Sequence, residues 1–256
     1  MDQTVDLQPQ GGITLATAVY ERLRADILQG ALPPGAKLRI EVLRERYGAG
    51  GTPVREALNR LTSAGLVQQR EQRGFIVTPV SIEELDELIK TRCWVEEVAL
   101  RESIKRARPS WEEGVVLAFH RLSKTPRSAS ADAYVVNPEW ERLHHDFHMA
   151  LLADCGSRWL TAFCEQLNDQ ACRYRQFAVA SVFPKRTEAV EHKSIMEAAL
   201  AGRADEAVEL LQQHYRLTGA ITRDALAQAG EAGDGAAGAR ARRGRANGGT
   251  EDAGAH

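Results

Sequence analysis

The spacing of hydrophobic positions changes near residue 80, and that change divides the chain. From Thr14, placed to cap a helix, apolar Ala18, Val19, Leu23, Ile27 and Leu28 recur three and four apart, the period of one buried helix face. Gly30 and the run LPPG at 32–35 stop that helix. IEVLRERY predicts a short second helix over 40–47, closed by Gly48. Beyond GAGG at 48–51, Thr52 is the expected N-cap and Pro53 the first helical residue. Val54, Ala57, Leu58 and Leu61 then give a third helix its buried stripe, ending near Gly65. Two strands are expected at about 66–70 and 75–79, joined by the turn EQRG. Three helices and a hairpin over 14–80 make a winged helix-turn-helix.

From Ser81 the period is helical throughout. Ser81 and Glu84 form a capping box opening a helix to about 107, and Pro109, Pro126, Pro138 and Pro184 punctuate the rest of the chain. Helices are expected at about 82–107, 110–123, 138–153, 157–180, 185–201 and 204–227. The fold class is therefore mostly α: an N-terminal winged helix-turn-helix, then a six- or seven-helix antiparallel bundle over 81–227, long enough to enclose a pocket. Residues 228–256 contain eight Gly and nine Ala but no Val, Leu, Ile or Phe, which predicts a disordered tail with too little apolar surface to offset its ordering entropy.

Composition narrows the class. The chain has 256 residues and net charge −2, and its four cysteines at 93, 155, 164 and 172 include no CxxC pair. Cys155, Cys164 and Cys172 read as small core residues rather than a redox switch, and Trp94, Trp140 and Trp159 read as core or pocket wall. No run approaches the ~20 apolar residues of a membrane span. The start, MDQTVDLQPQGG, lacks the basic and apolar regions of a signal peptide, so a cytoplasmic protein with reduced thiols is expected. Charge is unevenly spread: residues 14–80 hold ten Lys and Arg against six Asp and Glu. A basic front on an acidic body points to a polyanion as the partner of the front.

In a helix-turn-helix the second helix of the pair enters the major groove by its N-terminal residues. Thr52, Pro53 and Arg55 lie there, with Arg55 suited to a bidentate guanine contact or to a phosphate. Arg44 and Arg46 are placed for the DNA backbone, and Arg73 and Gly74 form the wing tip. These features carry a resemblance. ILQGALPPGAKL (27–38), TPVREALNRL (52–61), AGLV (64–67) and RGFIV (73–77) are similar to the DNA-binding domain of GntR-family bacterial transcription regulators. The family usually has Ser-Arg before TPVREAL, where this chain has Gly50 and Gly51. That departure implies a different operator and more demand on Thr52, Arg55 and the wing.

Chemistry concentrates in histidines. His144 and His148, four apart, share one helix face, and neutral imidazoles at that spacing chelate a divalent ion if others complete the set; as a bare pair they are more often structural or surface-exposed. Residues 81–227 resemble the FadR-type, all-helical effector domain of the same family through TRCWVEE (91–97), FHMALLADCGS (147–157) and EHKSIMEAALAGRADEAVELLQQH (191–214). The resemblance implies a divalent metal on His148, His192 and His214, with His144 where the family has Asp or Asn. An all-imidazole set suits zinc or nickel. It further implies a small carboxylate effector, a dicarboxylate among the candidates, met by Arg92 in an Arg-x-x-x-Glu element with Glu96, and by Arg173 and Arg175. A homodimer reading a pseudo-palindromic operator, and acting as a repressor, is the expected form. A metal sensor is the alternative, with the ion itself as the signal. A metallohydrolase is disfavoured, because HHDFH (144–148) lacks the Glu of HExxH at position 145.

Overall fold

A computed structural model describes residues 14–71, 74–130, 132, 134–182 and 188–246, the stretches 176–182 and 230–246 by their backbone alone. Among these residues there are nine helices and one small three-stranded sheet. The first unit comprises α1 (Leu15–Leu28), β1 (Lys37–Leu38), α2 (Ile40–Tyr47), α3 (Gly51–Ser63), β2 (Val67–Arg70) and β3 (Gly74–Val77). β3 is central and antiparallel to both neighbours, pairing Phe75 with Leu38 on one side and with Gln69 on the other. Strand β1 adds to the expected hairpin, since two residues are too few to show an alternating pattern.

Local chemistry accounts for the boundaries. The Thr14 hydroxyl accepts from the Thr17 amide and opens α1. α3 begins earlier than expected: Gly50, in extended conformation, is its N-cap, which corrects the assignment to Thr52. Thr52 and Pro53 instead sit within the first turn, where amides have no intrahelical acceptor and proline costs nothing. Val19, Leu23, Ile27, Val54, Leu58, Leu61 and Leu66 are buried together as the core of this unit. Beneath it, buried Asp26 accepts from the Tyr47 hydroxyl at 2.8 Å and pairs with Arg46 at 2.8 Å. Arg46 therefore braces α2 against α1.

The second unit is all helical: α4 (Ile82–Arg106), α5 (Pro109–Lys124), α6 (Pro138–Leu152), α7 (Arg158–Val182), α8 (Glu188–Leu200) and α9 (Ala204–Ala246). Ser81 caps α4 as expected, but the box closes through a third residue. The Ser81 amide donates to the Tyr174 hydroxyl, which donates to Glu84. α9 runs to Ala246, through the segment from 228 for which disorder was expected. Residues 247–256 lie outside the described ones. Among the described residues no helix is long and apolar enough to cross a membrane.

One face of α7 joins the two units. Asp169 accepts two hydrogen bonds from Arg24 of α1, and the Gln170 amide donates to the Ala64 carbonyl at 2.8 Å. Gly65 sits under that amide at φ +75°, and a Cβ there would lie 3.1 Å from Gln170 Nε2. Arg173, fully buried, donates to the carbonyls of Thr78 at 2.6 Å and Pro79 at 3.0 Å, and to Gln170 Oε1. This corrects the expectation that Arg173 binds effector: it ties the chain leaving the wing to the helical body. Arg173→Leu, leaving those carbonyls without a donor, is expected to cost about 2–3 kcal/mol and to lower the melting temperature by roughly 5–10 °C. An unchanged melt in calorimetry would show that the tie carries no stability.

Candidate functional site

α3 presents its exposed face at the edge of the first unit. Thr52 and Arg55 point to solvent from its first two turns and, with Glu56, Asn59 and Ser63, line a shallow hollow. Gly50 caps the helix with no side chain and makes no side-chain cap bond, so the positive end of α3 is open to an anion. Arg44 lies across that end, its Cδ 3.8 Å from where a Cβ on Gly51 would stand. Gly74, at φ +75° with no atom within 4 Å of a Cβ position, is exposed where β3 begins. Arg73 lies outside the described residues.

In the helical unit the four predicted histidines come together. His144 and His148 from α6, His192 from α8 and His214 from α9 are all buried, and one nitrogen from each falls within 4.8 Å of the other three. The i, i+4 spacing places His144 Nε2 3.2 Å from His148 Nε2. A tetrahedral zinc with Zn–N near 2.05 Å separates its nitrogens by about 3.3 Å. Burial, followed by the nearby Arg175 charge, holds the His144 imidazole well below the usual histidine range. Burial, then His214, does the same to His148. Both are therefore neutral and bear the lone pair a metal needs.

Outer groups orient two of the rings. His214 Nδ1 lies 2.7 Å from a Glu191 carboxylate oxygen, and His148 Nδ1 lies 3.2 Å from the Tyr215 hydroxyl. The Tyr215 hydroxyl donates to Glu96, leaving its oxygen to accept from His148 Nδ1–H. Each bond fixes the tautomer that frees Nε2. His144 differs: Trp140 stacks on its ring at 4.7 Å between centroids, and its Nδ1 has no hydrogen-bond partner. The donor set fits a zinc-like ion, with His144 the least anchored member.

The expected arginines divide. Arg92 and Arg175 border a small cavity beside the histidines, together with Tyr215 and Thr222. Each is already paired. Arg92 Nε donates to Glu96 at 2.7 Å with its guanidinium 3.9 Å over the Tyr215 ring, and Arg175 donates to Glu141. Burial works against both charges, but Glu96 and Glu141 outweigh it and raise both pKa values. Glu96 reaches the site through Arg92 and Tyr215. The cavity measures about 20 Å³, room for a water or two. Sequence reasoning missed Tyr215, Glu191 and Glu141, whose only signal was their nearness in sequence to the histidines.

The other conspicuous residues behave plainly. Cys93, Cys155, Cys164 and Cys172 are unpaired thiols, and burial pushes Cys164 and Cys172 up to about 12. Trp140 is buried, whereas Trp94 and Trp159 are 60% and 76% exposed and lie outside the core; Trp94 lines a surface hollow between α4 and α9. Asp146 is bound to Arg142 on the exposed side of α6, so no carboxylate from HHDFH faces the imidazoles.

A winged reading head fixed to an all-helical body with a buried histidine cluster is the architecture of a DNA-binding transcription regulator. Residues 15–77 match the bacterial regulatory proteins of the gntR family and residues 87–217 match the FCD domain. The chain belongs to the GntR family, in its FCD-bearing form. It is 39% identical over 210 residues to the uncharacterized HTH-type transcriptional regulator BphR of Paraburkholderia xenovorans (strain LB400), covering 82% of this chain and 86% of that one. It is 34% identical over 212 residues to the HTH-type transcriptional repressor GlaR of Escherichia coli (strain K12), covering 81% and 96%. In fold it is similar to E. coli McbR/YncC, with TM-score 0.69 at 23% identity, covering 83% of this chain and 98% of that one.

Proposed function

We propose that the protein is a homodimeric repressor whose helical domain holds zinc or nickel on His144, His148, His192 and His214 and takes a small carboxylate as effector. The observation that carries this reading is the convergence of four buried imidazoles from three helices. When bound, the ion would supply Lewis acidity, and a ligand oxygen would reach it by taking the place of His144, the least anchored of the four, or as a fifth donor. Arg92 and Arg175 border the same space and supply the complementary positive charge, each by loosening its present carboxylate partner. Two heads on a two-fold axis would read a pseudo-palindrome, with Arg44, Thr52, Pro53, Arg55 and the wing residues Arg73 and Gly74 at the DNA. The effector regulates by preferring one arrangement of the heads over another.

One observation favours the second reading, in which the ion itself is the signal: the cavity of about 20 Å³ does not admit a dicarboxylate unless the Arg175–Glu141 wall moves. Thermal melting against small mono- and dicarboxylates, with zinc or after chelation, decides between them. A carboxylate shift that requires zinc supports effector docking at the cluster. Stabilisation by zinc with no response to any acid moves the metal-sensor reading to first place, and no response to either removes both.

A further inference from the structure

A second and much larger cavity lies between the two units, separated from the histidine cavity by Arg175. Its walls are α1 on one side, through Ala25 and Leu28, and α6 and α7 on the other, through Glu141, His145, Asn168 and Cys172. Its volume is about 690 Å³, within the range of pockets that enclose small ligands. The Arg24–Asp169 pair stands at its border and holds the two units together around it.

Among the described residues, four polar atoms of side chains in its lining are buried without a hydrogen-bond partner: Asn168 Nδ2, Glu141 Oε1, His145 Nε2 and Arg175 Nε. Asn168 is only 3% exposed and Glu141 only 7%. Burying an amide donor or a carboxylate acceptor without a partner is costly, and such groups in a native fold call for an occupant that satisfies them. Asn168 Nδ2 needs an acceptor and Glu141 Oε1 needs a donor. Acidic side chains outnumber basic ones in the lining by five to three, and its basic members Arg24, Arg142 and Arg175 are each bonded to an acidic neighbour. Arg175 Nε is left without a partner, but the guanidinium is held through its NH2 by Glu141, so an anion approaching it would meet Glu141 head on.

From these features we infer that the inter-domain cleft is a second ligand site, for a neutral amphipathic small molecule carrying both a hydrogen-bond donor and an acceptor on an apolar body. The donor goes to Glu141 and the acceptor to Asn168, while the apolar body lies against Ala25 and Leu28. This ligand class is the opposite of the carboxylate that suits the histidine site. The two sites share a wall, because Glu141 holds Arg175 and Arg175 borders both cavities. An occupant touches the DNA-binding head and the helical body at once, so its binding energy depends on how the two are set.

The test uses the full chain and 2-phenylacetamide as probe, with phenylacetate as its anionic counterpart, followed by saturation-transfer NMR. For a ligand of this size a saturable affinity in the millimolar range is expected. Phenylacetate should bind at least about tenfold more weakly, since it replaces the donor toward Glu141 with a charge. Ala25→Phe, which fills the cleft from the partly exposed side of α1, should abolish the signal. Asn168→Leu, similar in volume but without the donor, should weaken binding several-fold while leaving the melting temperature equal or higher. Chelation should change nothing, which separates this site from the histidine cluster. Absence of saturable binding to the unaltered protein, equal binding of phenylacetate, or undiminished binding to both variants would each overturn the assignment.

Discussion

His148→Ala is expected to abolish zinc binding at the proposed four-histidine centre. His148 is 1% exposed, its Nε2 faces His144, and its Nδ1 is held by Tyr215, so no neighbouring side chain replaces the lost nitrogen. With structural zinc worth roughly 10–16 kcal/mol over four ligands, removing one should weaken binding by about a hundredfold or more. At zinc concentrations that leave the variant site vacant, it forfeits about 2.7 kcal/mol of linked stabilisation, or several degrees of melting temperature. The informative quantity is the difference between zinc-loaded and chelated melts. It should be large for the unaltered protein and near zero for His148→Ala, whereas His120→Ala, outside the cluster, should preserve it. The cavity left by truncation lowers both melts of the variant together and cancels in that difference. Retention of one zinc per chain by the variant in elemental analysis would refute the ligand set.

Arg55→Ala should weaken operator binding by about 10- to 100-fold while sparing random-sequence DNA, the outcome for a side chain that reads a base edge. Arg55 is exposed near the start of α3, beside Thr52 and clear of the packed face formed by Val54, Ala57 and Leu58. The substitution therefore tests recognition without disturbing the core. Titrations on operator and random duplexes at several salt concentrations check it. Equal loss on both duplexes, with the salt slope reduced by about one, would assign Arg55 to a phosphate instead.

Much of this was legible in the sequence because it depends on local rules. Thr14 and Ser81 announce helix starts through their own hydroxyls. His144 and His148 announce a shared face because four residues make just over one helical turn. The errors fall where a residue's role depends on what packs against it. Arg173 and Arg175 are two apart and cannot face the same way on a helix, so only one of them could border the cavity; which one was decided by the docking of the wing beside α7. Tyr215 follows His214 directly, and adjacent helical residues diverge by about 100°. Both reach the cluster only because α9 lies close enough for His214 and Tyr215 to touch it from either side. The start of α3 shifted because a glycine satisfies an N-cap through backbone geometry alone, with no side chain to mark it.

The docking stripe on α7 sets a limit on modularity. Gln166, Asp169, Gln170 and Arg173 recur at helical spacing and meet α1, the end of α3 and the exit of the wing. Ala171, Tyr174 and Arg175, on the other side of the same helix, border the histidine cavity. A chimera that transplants this reading head onto another helical body must therefore carry the stripe with it. One that exchanges the domains at residue 80 alone severs every one of those bonds while keeping both cores whole. The natural seam for recombination runs along the length of a helix rather than across the linker.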